Sequence, residues 1–291
     1  MSNSIERRVI APGGVGLAVR VHGEPGRPTV LLLHGYPDNQ ALWDRVVPLL
    51  AGRFRVVTYD VRGAGRSDAP RGRSEYTLRR LAADLVAVLD AVSPHAPVHL
   101  VGHDWGSIQL WEPVTDPGLA HRIASFTSLS GPCLDHAGAW LRAQWRHRRT
   151  WLRALRQLAR SWYIGYFRLP LLPELGWRSG LAGWLLRRAE RLPVRPSGVD
   201  GRHGLALYRA NRVGRPRERR TEIPVQLVVP TRDRFVDPWL LADAERWAPR
   251  LCRRTVPARH WLPYSHPEQL AAWVGEFVAG VERDRAAAPG R

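Results

Sequence analysis

Six short aliphatic and β-branched runs punctuate the chain: Thr29 to Leu33, Arg55 to Tyr59, Val98 to Val101, Ile123 to Leu129, Val225 to Val229 and Cys252 to Val256. Most are continuously apolar rather than alternating, the pattern of parallel strands covered on both faces. Helical patterns lie between them, at Gln40 to Leu50, Leu78 to Val92, Ser107 to Glu112, Trp239 to Trp247 and His266 to Arg283. Strand and helix alternating through short connections predict an α/β fold built on an open, mostly parallel sheet flanked by helices. Val15 to His22 is expected to add an antiparallel edge strand.

The alternation stops between Cys133 and Glu222, where helix follows helix with Trp and Arg interleaved and prolines at 170, 173, 193 and 196. This predicts a helical insertion over 133–222 in a core made of 1–132 and 223–283. The polar, Ala/Pro/Gly-rich end, 284–291, reads as a disordered tail. Within the insertion, Leu141, Trp145, Leu152, Leu155, Leu158 and Trp162 fall near one face of a stretch running from Trp140 to Trp162. That face is expected to pack on the core; a basic amphipathic helix lying on anionic lipid is the alternative.

Charge sharpens this division. The 291 residues carry 44 basic and 26 acidic side chains, a net +18, and every basic residue is arginine. Twenty arginines and six acids lie between Cys133 and Glu222, so the insertion holds +14 of that excess. A GC-rich genome accounts for arginine replacing lysine; an anionic lipid, nucleic acid or acidic partner would account for its clustering. No nucleic-acid module is recognisable, so nucleic acid is not expected as a partner. With 44% hydrophobic and 24% charged residues the composition is globular, and there are no internal repeats. The N-terminus has no signal-like apolar run and no segment reaches the ~18 apolar residues of a membrane span. Two cysteines, Cys133 and Cys252, exclude a disulfide framework or a Cys-rich metal site. A reduced, cytoplasmic location is the expectation.

The chemistry gathers at strand ends. Val98 to Val101 runs into Gly102-His103-Asp104-Trp105-Gly106 and then a helix. This is the strand, sharp turn and helix of a nucleophile elbow, with aspartate at the centre. Leu33-His34-Gly35-Tyr36-Pro37 follows an earlier strand, and a Gly-rich turn, Asp60-Val61-Arg62-Gly63-Ala64-Gly65, follows another. Asp233 lies just past a late strand and His260 past the last one. Nucleophile, acid, histidine is the order of the α/β-hydrolase triad. Asp237 competes with Asp233 but precedes Pro238 and is placed to cap the next helix. Asp60 and Asp68 are expected to tie down loops. The remaining histidines, His22, His95, His99, His121, His136, His147 and His203, show no ligand spacing.

On these motifs, from about Val15 to Phe277, the chain resembles α/β-hydrolases of the epoxide hydrolase branch. More narrowly, it is similar to the hydrolase half of actinobacterial proteins fused to a short-chain dehydrogenase. On that likeness it should stop where the linker to a reductase half would begin. The resemblance implies an eight-stranded sheet with a helical cap and a triad of Asp104, His260 and Asp233. It implies oxyanion N–H donors at Tyr36 and Trp105, and substrate contacts at His34, Pro37, Trp105 and Trp261. Tyr163, in Tyr163-Ile164-Gly165-Tyr166-Phe167, and Tyr208, in Leu207-Tyr208-Arg209, match the two cap tyrosines of the family; Tyr166 and Tyr264 are the fallback phenols.

The chemistry so implied converts a small, hydrophobic epoxide to a vicinal diol through an ester on Asp104, with no metal or cofactor. A positioned carboxylate can attack an epoxide carbon in a dry pocket. Tyrosine, with a pKa of about 10, remains protonated to receive the developing alkoxide. Arg259 replaces the glycine common before the histidine, and a cation there is expected to disfavour protonated His260. A haloalkane dehalogenase would use the same Asp104, with Trp105 as one halide donor, and leave the phenols idle. A hydrolase-like module whose basic cap docks on lipid or on a partner reductase is a further alternative. A serine esterase is disfavoured because residue 104 is aspartate.

Overall fold

Eight strands make one sheet in the order β1-β2-β4-β3-β5-β6-β7-β8 in a computed structural model of the chain, which describes residues 4–146, 149–214 and 216–287. The strands are β1 (Ile5–Ala11), β2 (Val15–His22), β3 (Thr29–Leu33), β4 (Arg55–Tyr59), β5 (Val98–His103), β6 (Ile123–Leu129), β7 (Val225–Pro230) and β8 (Leu251–Val256). β2 pairs antiparallel with β1 and β4, and every other pairing is parallel. All five residues of β3 are buried, as both-face coverage requires.

Around the sheet lie α1 (Val47–Ala51), α2 (Leu78–Val92), α3 (Trp105–Val114), α10 (Leu262–Ser265) and α11 (Pro267–Ala287); the cap helices between β6 and β7 are α4 (Leu134–Arg146), α5 (Trp151–Arg160), α6 (Trp162–Arg168), α7 (Leu172–Arg178), α8 (Leu181–Glu190) and α9 (Gly198–Ala210). α2 shows why such segments become helices: Leu81, Leu85, Val88, Leu89 and Val92 fall on one buried face at helical spacing. One apolar cluster lies on each side of the sheet, the first including Leu31, Leu33 and Leu85, the second Leu32, Trp43 and Val274.

Several expectations change, and the first is Gln40 to Leu50, which divides into a 3-10 turn, Gln40–Trp43, and the short helix α1. The edge strand is β1, and β2 lies inside it. Trp239 to Trp247 forms two 3-10 turns, Pro238–Leu241 and Ala244–Arg246, rather than a helix. Residues 284–287 continue α11, while 288–291 lie outside the described residues. The stretch from Trp140 to Trp162 is divided between α4, α5 and the start of α6. Of its apolar face Leu141 packs inward, against the cluster of Ala137, Trp140 and Leu240, but Trp145, Leu152, Leu155, Leu158 and Trp162 are all exposed. α5 instead turns Ala154 and Gln157 inward. Among the described residues no helix is long and apolar enough to cross a membrane.

Candidate active site

The carboxyl ends of β3, β5, β7 and β8 converge, which is where ligands sit in open α/β sheets. Asp104 occupies the turn from β5 into α3 with φ 51°, a left-handed backbone that costs a non-glycine residue energy and persists when its surroundings enforce it. Two glycines let the turn close. A Cβ on Gly106 would press on the Leu33 and His34 carbonyl oxygens, and one on Gly35 would stand 2.5 Å from Asp104 Oδ1.

The carboxylate of Asp104 is held at both oxygens. Tyr36 N–H donates to Oδ1 at 2.8 Å, and His260 Nε2 lies 3.5 Å from Oδ2. His260 Nδ1 stands 2.8 Å from Asp233 Oδ2. Asp233 Oδ1 accepts the N–H groups of Phe235 and Val236 at 2.7 and 3.0 Å. Trp105 opens α3 directly after Asp104, so its N–H belongs to the unpaired donors of a helix start. Asp237 instead accepts from Trp239 N–H at 3.1 Å and pairs with Arg156 at 2.9 Å.

Burial disfavours charge on His260, yet attraction to Asp233 and hydrogen bonding to Asp104 and Asp233 overcome it and raise the imidazole to about 10. Asp233 is also buried, and the imidazolium beside it nevertheless holds its carboxyl below the usual range. The depression expected from Arg259 is outweighed here. Its guanidinium reaches away to the Ala189 carbonyl at the end of α8, and the two carboxylates facing His260 dominate.

A cavity of about 500 Å³ opens above Asp104 and His260, lined by Tyr36, Pro37, Tyr163, Tyr208, Trp261 and other cap residues. Tyr163 and Tyr208 face each other with ring centroids 6.0 Å apart and nearly perpendicular planes. Burial pushes both phenols well above the ordinary tyrosine range, and the Asp104 carboxylate adds to this. Both therefore remain protonated at neutral pH. Tyr166 also lines the cavity, with its hydroxyl donating to Leu172 O at 3.3 Å, whereas Tyr264 does not line it.

Of the four expected substrate contacts, Pro37 and Trp261 line this cavity, whereas His34 and Trp105 do not. Val61 N–H donates to His34 Nε2 at 3.0 Å, so Nδ1 carries the proton and donates to Gly35 O at 2.9 Å. Burial keeps this imidazole neutral. Both ring nitrogens are occupied, and His34 splices the β3 and β4 loops instead of meeting substrate. Asp60 and Asp68 tie loops as expected, Asp60 by accepting from Gln40 N–H and Arg66 N–H at 2.8 and 2.9 Å, Asp68 by accepting from Gly16 N–H at 2.7 Å.

Several residues near the site escaped sequence reasoning. Asp38 is buried and accepts Trp261 Nε1–H at 2.7 Å, and burial raises its carboxyl to about 7. Glu190 lines the cavity with neither carboxyl oxygen hydrogen-bonded among the described residues and Arg234 3.8 Å away, and burial raises it. His103 Nε2 lies 3.1 Å from the His260 carbonyl and is pushed down to about 3 by burial, so it is a neutral brace. The aspartate in Gly35-Tyr36-Pro37-Asp38 was the only sequence cue among them. α5 reaches the acid loop as well: Gln157 bonds Phe235 O at 2.9 Å and Asp237 N–H at 2.8 Å, and Arg160 bonds Asp233 O at 2.7 Å.

An eight-stranded sheet, a strained elbow and a carboxylate–histidine–carboxylate array beneath a helical cap define an α/β hydrolase. The chain belongs to the α/β hydrolase fold family, whose match spans residues 28–267. It is 42% identical over 296 residues to "Probable oxidoreductase EphD" of Mycobacterium tuberculosis, covering 95% of this chain and 50% of that protein. The chain thus spans about half the length of that relative. It is also 40% identical over 132 residues to "Epoxide hydrolase A" of M. tuberculosis, covering 45% of this chain and 40% of that protein. In fold it resembles the crystal structure of the Bacillus megaterium epoxide hydrolase in complex with an inhibitor, with TM-score 0.78 at 21% identity over 94% of this chain and all of that one.

Proposed function

We propose that the chain is an epoxide hydrolase that works through an ester on Asp104. One observation carries this reading: a carboxylate at the elbow and two protonated phenols line the same cavity. Relatives and fold neighbours that bear the name epoxide hydrolase support it.

Asp104 Oδ1 is tied to the Tyr36 N–H, so Oδ2 attacks the epoxide carbon. The C–O bond breaks toward oxygen, and the alkoxide takes a proton through Tyr163 and Tyr208. Esterification removes the negative charge of Asp104, one of the two charges that keep His260 protonated. The imidazole then gives up its proton, which restores the phenols, and becomes a base. In the second step Nε2 draws a proton from water as the hydroxide attacks Asp104 Cγ. Oδ1, now the ester carbonyl oxygen, becomes the oxyanion and is received by the N–H groups of Tyr36 and Trp105, each worth roughly 3–4 kcal/mol where such donors have been removed. Collapse expels the diol oxygen, which takes the proton from His260, and Asp104 leaves as carboxylate. The proton used in ring opening is returned as the acid ionises.

The test is His260→Gln incubated with a panel of epoxides and then with a haloalkane. The expected result is a mass adduct on the peptide containing Asp104 after epoxide treatment, and diol from the unmodified chain. Halide release without diol would assign the carboxylate to dehalogenation and overturn the reading.

A further inference from the structure

We propose that the cap face around the cavity mouth docks on an anionic membrane surface, from which an apolar substrate enters the cavity. The observation behind it is an inverted helix. α5 and the start of α6 place Trp151, Leu155, Leu158 and Trp162 on one stripe at spacings of four and three, and every one is exposed, Trp162 at 69%. Leu152 beside the stripe is 61% exposed. The inward positions are Ala154 and Gln157. A helix in water on all but its packed side should do the reverse, so this stripe has the composition of a surface that is covered in use.

The covering partner is identified by charge. Residues 141–195 contain thirteen arginines and two acids, Glu174 and Glu190. Neither acid faces outward as a free charge: Glu174 pairs with Arg209 at 2.5 Å, and Glu190 is buried. On α5, Arg156 and Arg160 meet Asp237 of the core, but the arginines of this face still far outnumber its acids. Exposed Trp and Leu in such a setting suit the headgroup and upper acyl region of an anionic bilayer, where indole rings settle and each cation gains from the surface potential. Arginine's aliphatic stem adds apolar contact while its head stays among phosphates.

The same face surrounds the cavity mouth. Trp162, Leu181 and Leu185 are at once exposed and part of the cavity lining. A docked cap would therefore turn the mouth toward lipid, and an epoxide carried on an acyl-like chain could enter without crossing water. That substrate route rests on the epoxide hydrolase reading; the docking surface does not.

Flotation of the full chain with vesicles of phosphatidylcholine, with and without phosphatidylglycerol, tests this at about 0.1 M and about 1 M salt. Binding is expected to the vesicles containing phosphatidylglycerol at low salt and to weaken at high salt. Leu152→Ser/Leu155→Ser/Leu158→Ser, at three positions outside the cavity lining, should lower vesicle affinity at least about tenfold while leaving diol formation from a water-soluble epoxide unchanged. Wild-type protein that fails to float at low salt would overturn the proposal. So would a triple variant that floats equally well, or a wild-type dimer that the triple variant disperses, since the face would then belong to a second copy. Vesicle binding by a chain that forms no diol would sustain the docking surface and overturn the catalytic reading.

Discussion

Replacing Asp233 with asparagine tests the proposed second step, because the structure dictates how the amide must sit. Oδ1 accepts two backbone N–H groups, from Phe235 and Val236, and Oδ2 faces His260 Nδ1. An asparagine can keep both backbone bonds only by placing its carbonyl oxygen where Oδ1 was. Turning its NH₂ there would orphan two buried donors, at about 1–3 kcal/mol each, or roughly 2–6 kcal/mol together. The NH₂ therefore points at His260, Nδ1 must accept, and the imidazole proton moves to Nε2. That is the atom required to take a proton from water. At about 1.4 kcal/mol per tenfold, the productive tautomer falls to between about 4 × 10⁻² and 5 × 10⁻⁵ of the population, and ester hydrolysis should slow correspondingly. Attack by Asp104 does not use Nδ1. Rapid-quench single turnovers read by intact mass should show the adduct forming and then persisting near one per chain. Diol release within about tenfold of wild type, or lost activity with no adduct at any time, would refute the tautomer argument.

Other consequences follow from the same geometry. Tyr163→Phe and Tyr208→Phe should each slow ester formation by about 10–10²-fold, the double variant by more, with ester hydrolysis unchanged; equal slowing of both steps in quench experiments would count against the phenols as acids. Asp38→Asn should stabilise the protein at pH 8 and much less at pH 4. Its folded-state carboxyl lies at about 7 against an ordinary 3.8, so the neutral form is favoured in the fold and the cost of ionising it grows as pH rises from about 4 to 7. That cost is at most about 4 kcal/mol, and a denaturation midpoint gain that is the same at both pH values would contradict it. Arg62→Met should destabilise by about 3–5 kcal/mol, because Arg62 forks onto Asp84 at 2.5 and 2.7 Å in full burial; urea unfolding that moved by under ~1 kcal/mol would show the pair to be inert.

The sheet was legible wherever strands are buried on both faces, because a short, continuously apolar run between turn residues suits little besides a covered strand. β1 was invisible for the complementary reason: Ile-Glu-Arg-Arg-Val-Ile-Ala lies on the edge with only Val9 and Ala11 buried, so little apolar signal was required of it. The elbow, the acid and the histidine were readable because glycines and strand ends mark turns locally. Side-chain direction was not. His34 stands in the expected loop, but its ring reaches Val61 across two strands, a contact between residues 27 apart that no local pattern encodes. Glu190 and Asp38 were missed likewise, since burial of an acid depends on what the cap lays over it. α5 was readable as amphipathic, yet its facing followed from Gln157 and Arg160 reaching the acid loop, a polar attachment that outweighed its apolar stripe.

That attachment links two events usually treated separately. Gln157 grips both sides of the loop carrying Asp233, and Arg160 grips its carbonyl, so α5 cannot lift to admit a bulky molecule without tugging on the residue that aims His260. Admission along this border would transiently disarm hydrolysis. A traffic route that spares the machinery runs along the rest of the rim, which α6, α7 and α8 supply, leaving α5 as the stationary jamb of the doorway.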